Sequence, residues 1–189
     1  ILKDTVGCNG DIALCDRHLN EVAFAATHNS MSEASSTNLF FPSQEQPIGK
    51  QLEDGVRGLM IDAYFGFPGN GVYTDEERSS PKARSSMREE FGDEFVDTAD
   101  RVRRSLSAPK GVDPSLYLCH GFCELGATLM SESLDQMRVF LKENRSEVLI
   151  VVFEDYVPAS DRAAALENHG LKKYAYDGPW GPEWPTLGE

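Results

Sequence analysis

Gly55-Val56-Arg57-Gly58-Leu59-Met60-Ile61-Asp62-Ala63-Tyr64 (GVRGLMIDAY, residues 55–64) reads as a glycine turn, an aliphatic run and an abrupt carboxylate. Aliphatics without polar alternation suit a strand covered on both faces. The pattern recurs three times: Val22-Ala23-Phe24-Ala25-Ala26, Leu116-Tyr117-Leu118, and Val148-Leu149-Ile150-Val151-Val152-Phe153. Strands are expected at about 22–27, 57–63, 115–119 and 147–154. Each ends in polar chemistry: His28-Asn29, Asp62, His120, and Glu154-Asp155. Helices are expected between and after them. The first, about 47–54, has Pro47 near its first turn, Gly55 past its end, and Ile48 and Leu52 on one face. A second, about 133–144, has Ser133 and Gln136 spaced as a capping box and a stripe of Leu134, Met137 and Leu141. A third runs about 160–169 and stops at Gly170. This alternation predicts an α/β fold with a parallel sheet covered by helices. In such folds the active site lies at the C-terminal ends of the strands.

The stretch 68–113 differs. It holds Gly69, Gly71, Pro81 and Pro109, dense mixed charge and few aliphatics. It reads as an insertion with one charged helix, about 87–106, packed through Met87, Phe91, Phe95 and Val102. Its Arg101, Arg103 and Arg104 are expected on a solvated face. Residues 1–20 read as an N-terminal arm, leaving 21–189 as the main domain. The tail after about 171 is rich in proline and tryptophan and offers no further strand. With no initiator Met and no leader-like segment, the chain is expected to begin inside a longer precursor or to be a trimmed product.

A net charge of −13 opposes nucleic acid, which needs clustered Lys and Arg, and opposes recruitment to anionic membranes. The longest apolar run is the six residues Val148–Phe153, far short of the roughly 20 that span a bilayer. Four cysteines fall in two close pairs, Cys8 with Cys15 and Cys119 with Cys123. An even, closely paired count favours two local disulfides and an oxidising compartment over free thiols or a metal site. Zinc would need a second ligand pair that the Cys119–Cys123 cluster lacks. Asn144-Arg145-Ser146 matches a glycosylation sequon.

Two histidines, His28 and His120, each follow an aliphatic strand and would share one face of a parallel sheet. A base and an acid on opposite sides of one phosphorus are what phosphodiester cleavage requires. His18, in the arm, and His169, at a helix end, read as structural. Asn29, Asp62 and Glu154 offer three oxygen donors of the kind that hard cations such as Ca²⁺ or Mg²⁺ prefer. The alternative for the two carboxylates is to orient a histidine or cap a helix.

The motifs AATHNSM (25–31), GVRGLMIDAY, LCHG (118–121) and VVFEDYV (151–157), in this order, resemble the X-region of the phosphatidylinositol-specific phospholipase C superfamily. The likeness covers about 20–157 and is nearest to the secreted bacterial, fungal and plant X-domain branch. It implies a (β/α) barrel of the TIM type, of which about four βα units, the N-terminal half, are expected here. It implies that His28 is the general base, that His120 is the general acid, and that Asn29, Asp62 and Glu154 hold a metal ion. The attack of a neighbouring hydroxyl would then give a cyclic phosphate. Two positions depart from the family pattern. Metal-dependent members carry an acid two residues before the aspartate, where this chain has Met60. Metal-independent members carry an arginine two residues after it, where this chain has Tyr64. Arg57 and Tyr64 are therefore candidate substrate contacts.

The expectation from sequence is a secreted phosphoric diester hydrolase acting on a phosphodiester or phospholipid head group, assisted by Ca²⁺ or Mg²⁺. Peripheral membrane contact is allowed, nucleic acid is not expected, and the remaining half of the barrel is expected to be missing from this chain. The alternatives are a catalytically silent binding domain of the same fold, or a glycerophosphodiesterase or sphingomyelinase D type of sister enzyme. The last uses a Glu-x-Asp pair, where this chain reads Met60-Ile61-Asp62.

Overall fold

One long strand, β2 (Gly58–Gly69), organises the chain. In the computed structural model the described residues are 7–35, 42–69, 71–75, 88–89, 91–106, 110–120, 122–154, 156–179, 181 and 183–189. The first half of β2 pairs in parallel with β1 (Ala26–Thr27) and with β6 (Ile150–Glu154). Its second half pairs antiparallel with β3 (Gly71–Thr74) and with β4 (Ser115–Leu118), and β4 pairs antiparallel with β5 (Thr128–Leu129). The changeover falls at Asp62, whose neighbour on β6 is Glu154, while the next residue, Ala63, is opposite Leu118 of β4. The helices among the described residues include α1 (Ile48–Glu53), α2 (Asp93–Ser105), α3 (Met130–Glu143) and α4 (Ala159–Asn168).

This corrects the expected barrel, whole or half. Among the described residues the chain forms an open six-stranded mixed sheet with these helices, and no closed barrel. The expected third strand, β4, runs antiparallel to β2, because β2 does not stop at residue 63. It continues through Phe65 and Gly66 to Gly69 and turns back into β3. Gly66 allows this crowding: a Cβ there would stand 2.6 Å from Val72 and 3.1 Å from Tyr117. The expected first strand shrinks to Ala26–Thr27, pressed on β2 at Gly58, where a Cβ would lie 2.7 Å from that of Ala26. The capping box of Ser133 and Gln136 is absent. Helix α3 starts at Met130, Ser133 is buried inside it, and Gln136 Oε1 instead accepts from the Gly49 amide at 2.7 Å, joining α3 to α1.

Two apolar cores lie side by side. Leu59 and Ile61 of β2 pack with Ile48 and Leu52 of α1 and with Leu134 and Met137 of α3. Past the changeover, Tyr64 and Tyr117 pack with Val96 and Ala99 of α2 and with Cys119, Phe122 and Cys123. Among the residues expected to pack the charged helix, Phe91 and Phe95 reach this second core, and Met87 lies outside the described residues. Both disulfides form, Cys8–Cys15 and Cys119–Cys123, with Cα separations of 5.0 and 5.1 Å. Among the described residues no helix is long and apolar enough to cross a membrane.

Candidate functional site

The histidine loops converge on the changeover point of β2. His28 leaves β1, which runs parallel to the first half of β2. His120 leaves β4, which arrives from the opposite direction. The two rings meet edge-on with centroids 6.3 Å apart. His120 Nδ1 lies 3.4 Å from Asp62 Oδ2, and the Cys119 amide donates to the Asp62 carbonyl at 3.3 Å. His28 is exposed, whereas Asp62 is buried.

The loop after β1 is held by polar groups that its motif does not announce. Asn29 is buried at φ 51°, a left-handed conformation that asparagine tolerates better than most residues. Ser30 is fully buried: its amide donates to the Met60 carbonyl at 2.9 Å, and its Oγ accepts from the Met60 amide at 3.0 Å. Gln51 of α1, also buried, donates to the Ser30 carbonyl at 2.8 Å and accepts from the Thr27 hydroxyl at 2.7 Å. Gln44 donates to the His28 carbonyl at 2.7 Å. The signal for Gln51 was present in sequence: an amide three residues after Ile48 stands on the apolar face of its helix.

The carboxylates occupy one edge of the site. Asp62 and Glu154 are register partners on β2 and β6, so their side chains leave the same face. Like charges directly opposite repel unless something neutral or positive lies between them. Tyr156 partly fills that role by hydrogen bonding to Glu154 and to Tyr64, on whose ring it stacks at 4.8 Å. Burial, followed by that bond to Glu154, raises the Tyr156 phenol above its usual range. Tyr64, 1% exposed, is raised further, first by burial and then by Tyr156, Asp62 and Glu154. Both phenols stay neutral and can act as donors. Sequence reasoning missed Tyr156.

Asn29, Asp62 and Glu154, the expected cation ligands, carry one amide and two carboxylates. Among the described residues no cluster of three His, Cys, Asp or Glu with metal-holding geometry occurs. An amide and two carboxylates are oxygen donors of the kind that hard cations take. Met60, two residues before Asp62 on the same strand, is 40% exposed and adds no donor.

Arg57 is not brought to this site. It precedes Asp62 by five residues on an extended strand, about 16 Å away at ~3.3 Å per residue. It lies buried in an ion pair with Glu147, Nε to Oε2 at 2.6 Å. Tyr64 lies beneath the site with its ring buried against Tyr156. The two structural histidines sit elsewhere. The imidazole of His18 meets the Trp184 carbonyl, and His169 Nδ1 lies 3.5 Å from Asp135. Arg138, then His169, holds the Asp135 carboxyl below its usual range. A cleft lined by Cys8, Leu141, Arg145, Val148, Tyr174 and Leu187 opens at the far end of β6, away from this chemistry. Arg103 leaves the solvated face expected for it: its guanidinium lies over the Tyr73 ring at 4.7 Å and faces Glu124.

Comparison with known proteins agrees with the motifs. The family model described as PI-PLC X 1 matches residues 98–189, which include His120 and Glu154. A PI-PLC X domain-containing protein of Arabidopsis thaliana is 25% identical over 89% of this chain and 32% of its own length. An uncharacterized secreted protein of Arthroderma benhamiae is 22% identical over 98% of this chain and 33% of its own length. The chain thus spans about a third of the length of these curated relatives. No solved structure matches. Residues 98–189, which hold the last two of the four motifs, thus match the PI-PLC X family model, and a relative bearing that domain name aligns along most of the chain.

Proposed function

We propose that the chain carries the histidine pair of a phosphoric diester hydrolase of the phospholipase C kind. The supporting observation is the pairing of His28 and His120 at 6.3 Å with the Asp62 carboxylate behind His120. A substrate phosphorus between the rings has a proton acceptor on one side and a proton donor on the other. A carboxylate facing Nδ1 fixes the tautomer of an imidazole and supports the imidazolium that a general acid must be. This assigns the acid role to His120 and leaves the base role to His28. His28 takes the proton from a hydroxyl neighbouring the phosphate. The hydroxyl oxygen bonds to phosphorus, the bond to the leaving oxygen breaks, and His120 supplies that oxygen with its proton. The product of this step is a cyclic phosphodiester.

Phosphoryl transfer gathers negative charge on the non-bridging oxygens and needs positive charge against it. A divalent cation on Asn29, Asp62 and Glu154, Ca²⁺ or Mg²⁺, would supply that charge. The neutral Tyr156 phenol keeps Glu154 oriented toward the same place. The two disulfides and the relative named as a secreted protein support an extracellular setting.

The test is a panel of phosphodiester substrates, assayed with Ca²⁺ and with chelator. His28→Ala and His120→Ala are expected to lower the rate by at least ~10²-fold, the usual cost of losing a general acid or base. A folded His120→Ala protein that keeps near-parental turnover overturns the assignment.

A further inference from the structure

We infer that Glu124 is a positioning residue for His120, clamped by Thr74 and Arg103 of the 68–113 insertion. This rests on the reading that His120 acts in the site. Glu124 follows Cys123, whose disulfide to Cys119 brackets His120. Its side chain is 1% exposed, and both carboxylate oxygens are engaged. The Thr74 amide donates to Oε1 at 2.9 Å and the Thr74 hydroxyl donates to Oε2 at 2.9 Å. Arg103 Nε stands 3.5 Å from Oε1. A carboxylate held at both oxygens can neither rotate nor withdraw. A buried carboxylate without such partners would be costly, so the loop and the insertion are fixed together.

From Glu124 the restraint passes to His120 by a short route. The Leu125 amide donates to the Phe122 carbonyl at 3.0 Å, and the Phe122 amide donates to the His120 carbonyl at 2.9 Å. On the apolar side Phe91 lies edge-on to the His120 ring at 5.2 Å. It stacks on Phe95, which in turn meets Phe122 at 6.0 Å. The insertion thus grips the histidine loop twice, with Phe91 and Phe95 on the ring and Thr74 and Arg103 on the carboxylate. Asp62 orients the imidazole from β2, and the insertion sets where the loop puts it.

Thr74→Val removes the hydroxyl donor and keeps the amide. Thr74→Ser keeps both. Glu124→Gln keeps the shape and removes the charge. The four histidines give a simple spectrum in histidine-labelled protein, recorded at one fixed pH and assigned with His120→Ala. Thr74→Val and Glu124→Gln should shift or broaden the His120 signal while leaving those of His18 and His169 in place, and Thr74→Ser should restore it. A merely structural bond would lower the melting temperature without singling out His120. An unmoved His120 signal in folded Thr74→Val and Glu124→Gln overturns the inference. If Glu124→Gln does not fold, Thr74→Val decides alone. Where the parent turns over a phosphodiester, kcat should fall about 10- to 100-fold with KM nearly unchanged, the cost of a misaimed group. A parent with no turnover refutes the proposed function and leaves the His120 signal to decide the positioning role.

Discussion

The guanidinium of Arg57 donates from Nε to Glu147 and from Nη1 to the carbonyls of Leu52 and Val56, with the Phe140 ring 4.7 Å from its carbon. Every contact is to scaffold: the end of α1, the C-terminal half of α3 and the turn before β6. In sequence Arg57 stands beside the Asp62 motif and looks like a phosphate ligand. In space, strand geometry carries it to the other end of β2. Glu147 and Arg57 side chains are 4% and 7% exposed, so removing one partner strands a buried charge. Glu147→Ala is therefore expected to cost about 3–5 kcal/mol. The joint replacement Arg57→Met with Glu147→Leu should cost far less, because no charge is left unpaired. Denaturant unfolding of the three proteins measures this. If Glu147→Ala proves as stable as the parent, the pair is not the lock described.

At the scale of the element, β2 does what no single motif revealed. Its alternation puts Leu59 and Ile61 toward α1 and α3, and Met60 and Asp62 on the opposite face. Met60 therefore stands beside the carboxylates, opposite Val152 as Asp62 is opposite Glu154. If Asn29, Asp62 and Glu154 hold a cation, a third carboxylate at this position should strengthen the site, since charge count tunes affinity for Ca²⁺. Met60→Glu is expected to tighten Ca²⁺ binding at least ~10-fold in titration calorimetry. No gain would show that residue 60 does not reach the ion.

The same strand explains what the sequence made legible. The polar residues His28, His120 and Glu154 at or just past strand ends were readable because aliphatic runs stop abruptly before each, whereas Asp62, expected to end its strand, stands within β2. The paired cysteines were readable from spacing. The direction of β4 was not, since a short run such as Leu116-Tyr117-Leu118 reads the same whichever way its partner runs. Nor was the length of β2: Gly66, Pro68 and Gly69 look like loop residues, and only the pairing with β3 and β4 makes them strand. Gln51 and Glu124 show a third limit. Their roles depend on partners 21 and 50 residues away, Ser30 and Thr74, which no local pattern joins.

Across the whole molecule the two ends of β6 serve different purposes. Its C-terminal end, Glu154, belongs to the histidine site. Its N-terminal end is fastened by the arm. Asn9 pairs with Val148 through both side-chain atoms, at 2.6 and 3.3 Å, and its amide donates to the Ser146 carbonyl at 3.2 Å. The tail then closes over the arm. Leu19 donates to the Pro185 carbonyl at 2.9 Å, Leu187 donates to Arg17 at 3.0 Å, and Gly188 donates to Cys15 at 3.0 Å. Leu187 is 6% exposed, and the Cys8–Cys15 disulfide holds the arm in the shape that receives it. Replacing both cysteines with serine frees a short loop and should cost roughly 2–3 kcal/mol by the loop-entropy relation. Leu187→Ala should cost about 2 kcal/mol, the low end for a buried leucine, because its surroundings can settle. The two changes share the Gly188–Cys15 contact, so they should not add. Once the disulfide is gone, the tail has less to lose, and the combined cost should fall short of the sum by at least ~0.5 kcal/mol. The His28 and His120 signals should stay where they are in all three proteins. The six residue steps from Val148 to Glu154 put roughly 20 Å between clasp and site. Denaturant unfolding of the double-mutant cycle, with histidine spectra of each member, reads both halves of this expectation. Strict additivity would mean that arm and tail are two separate attachments, and a moved His120 signal would mean that the clasp reaches the site.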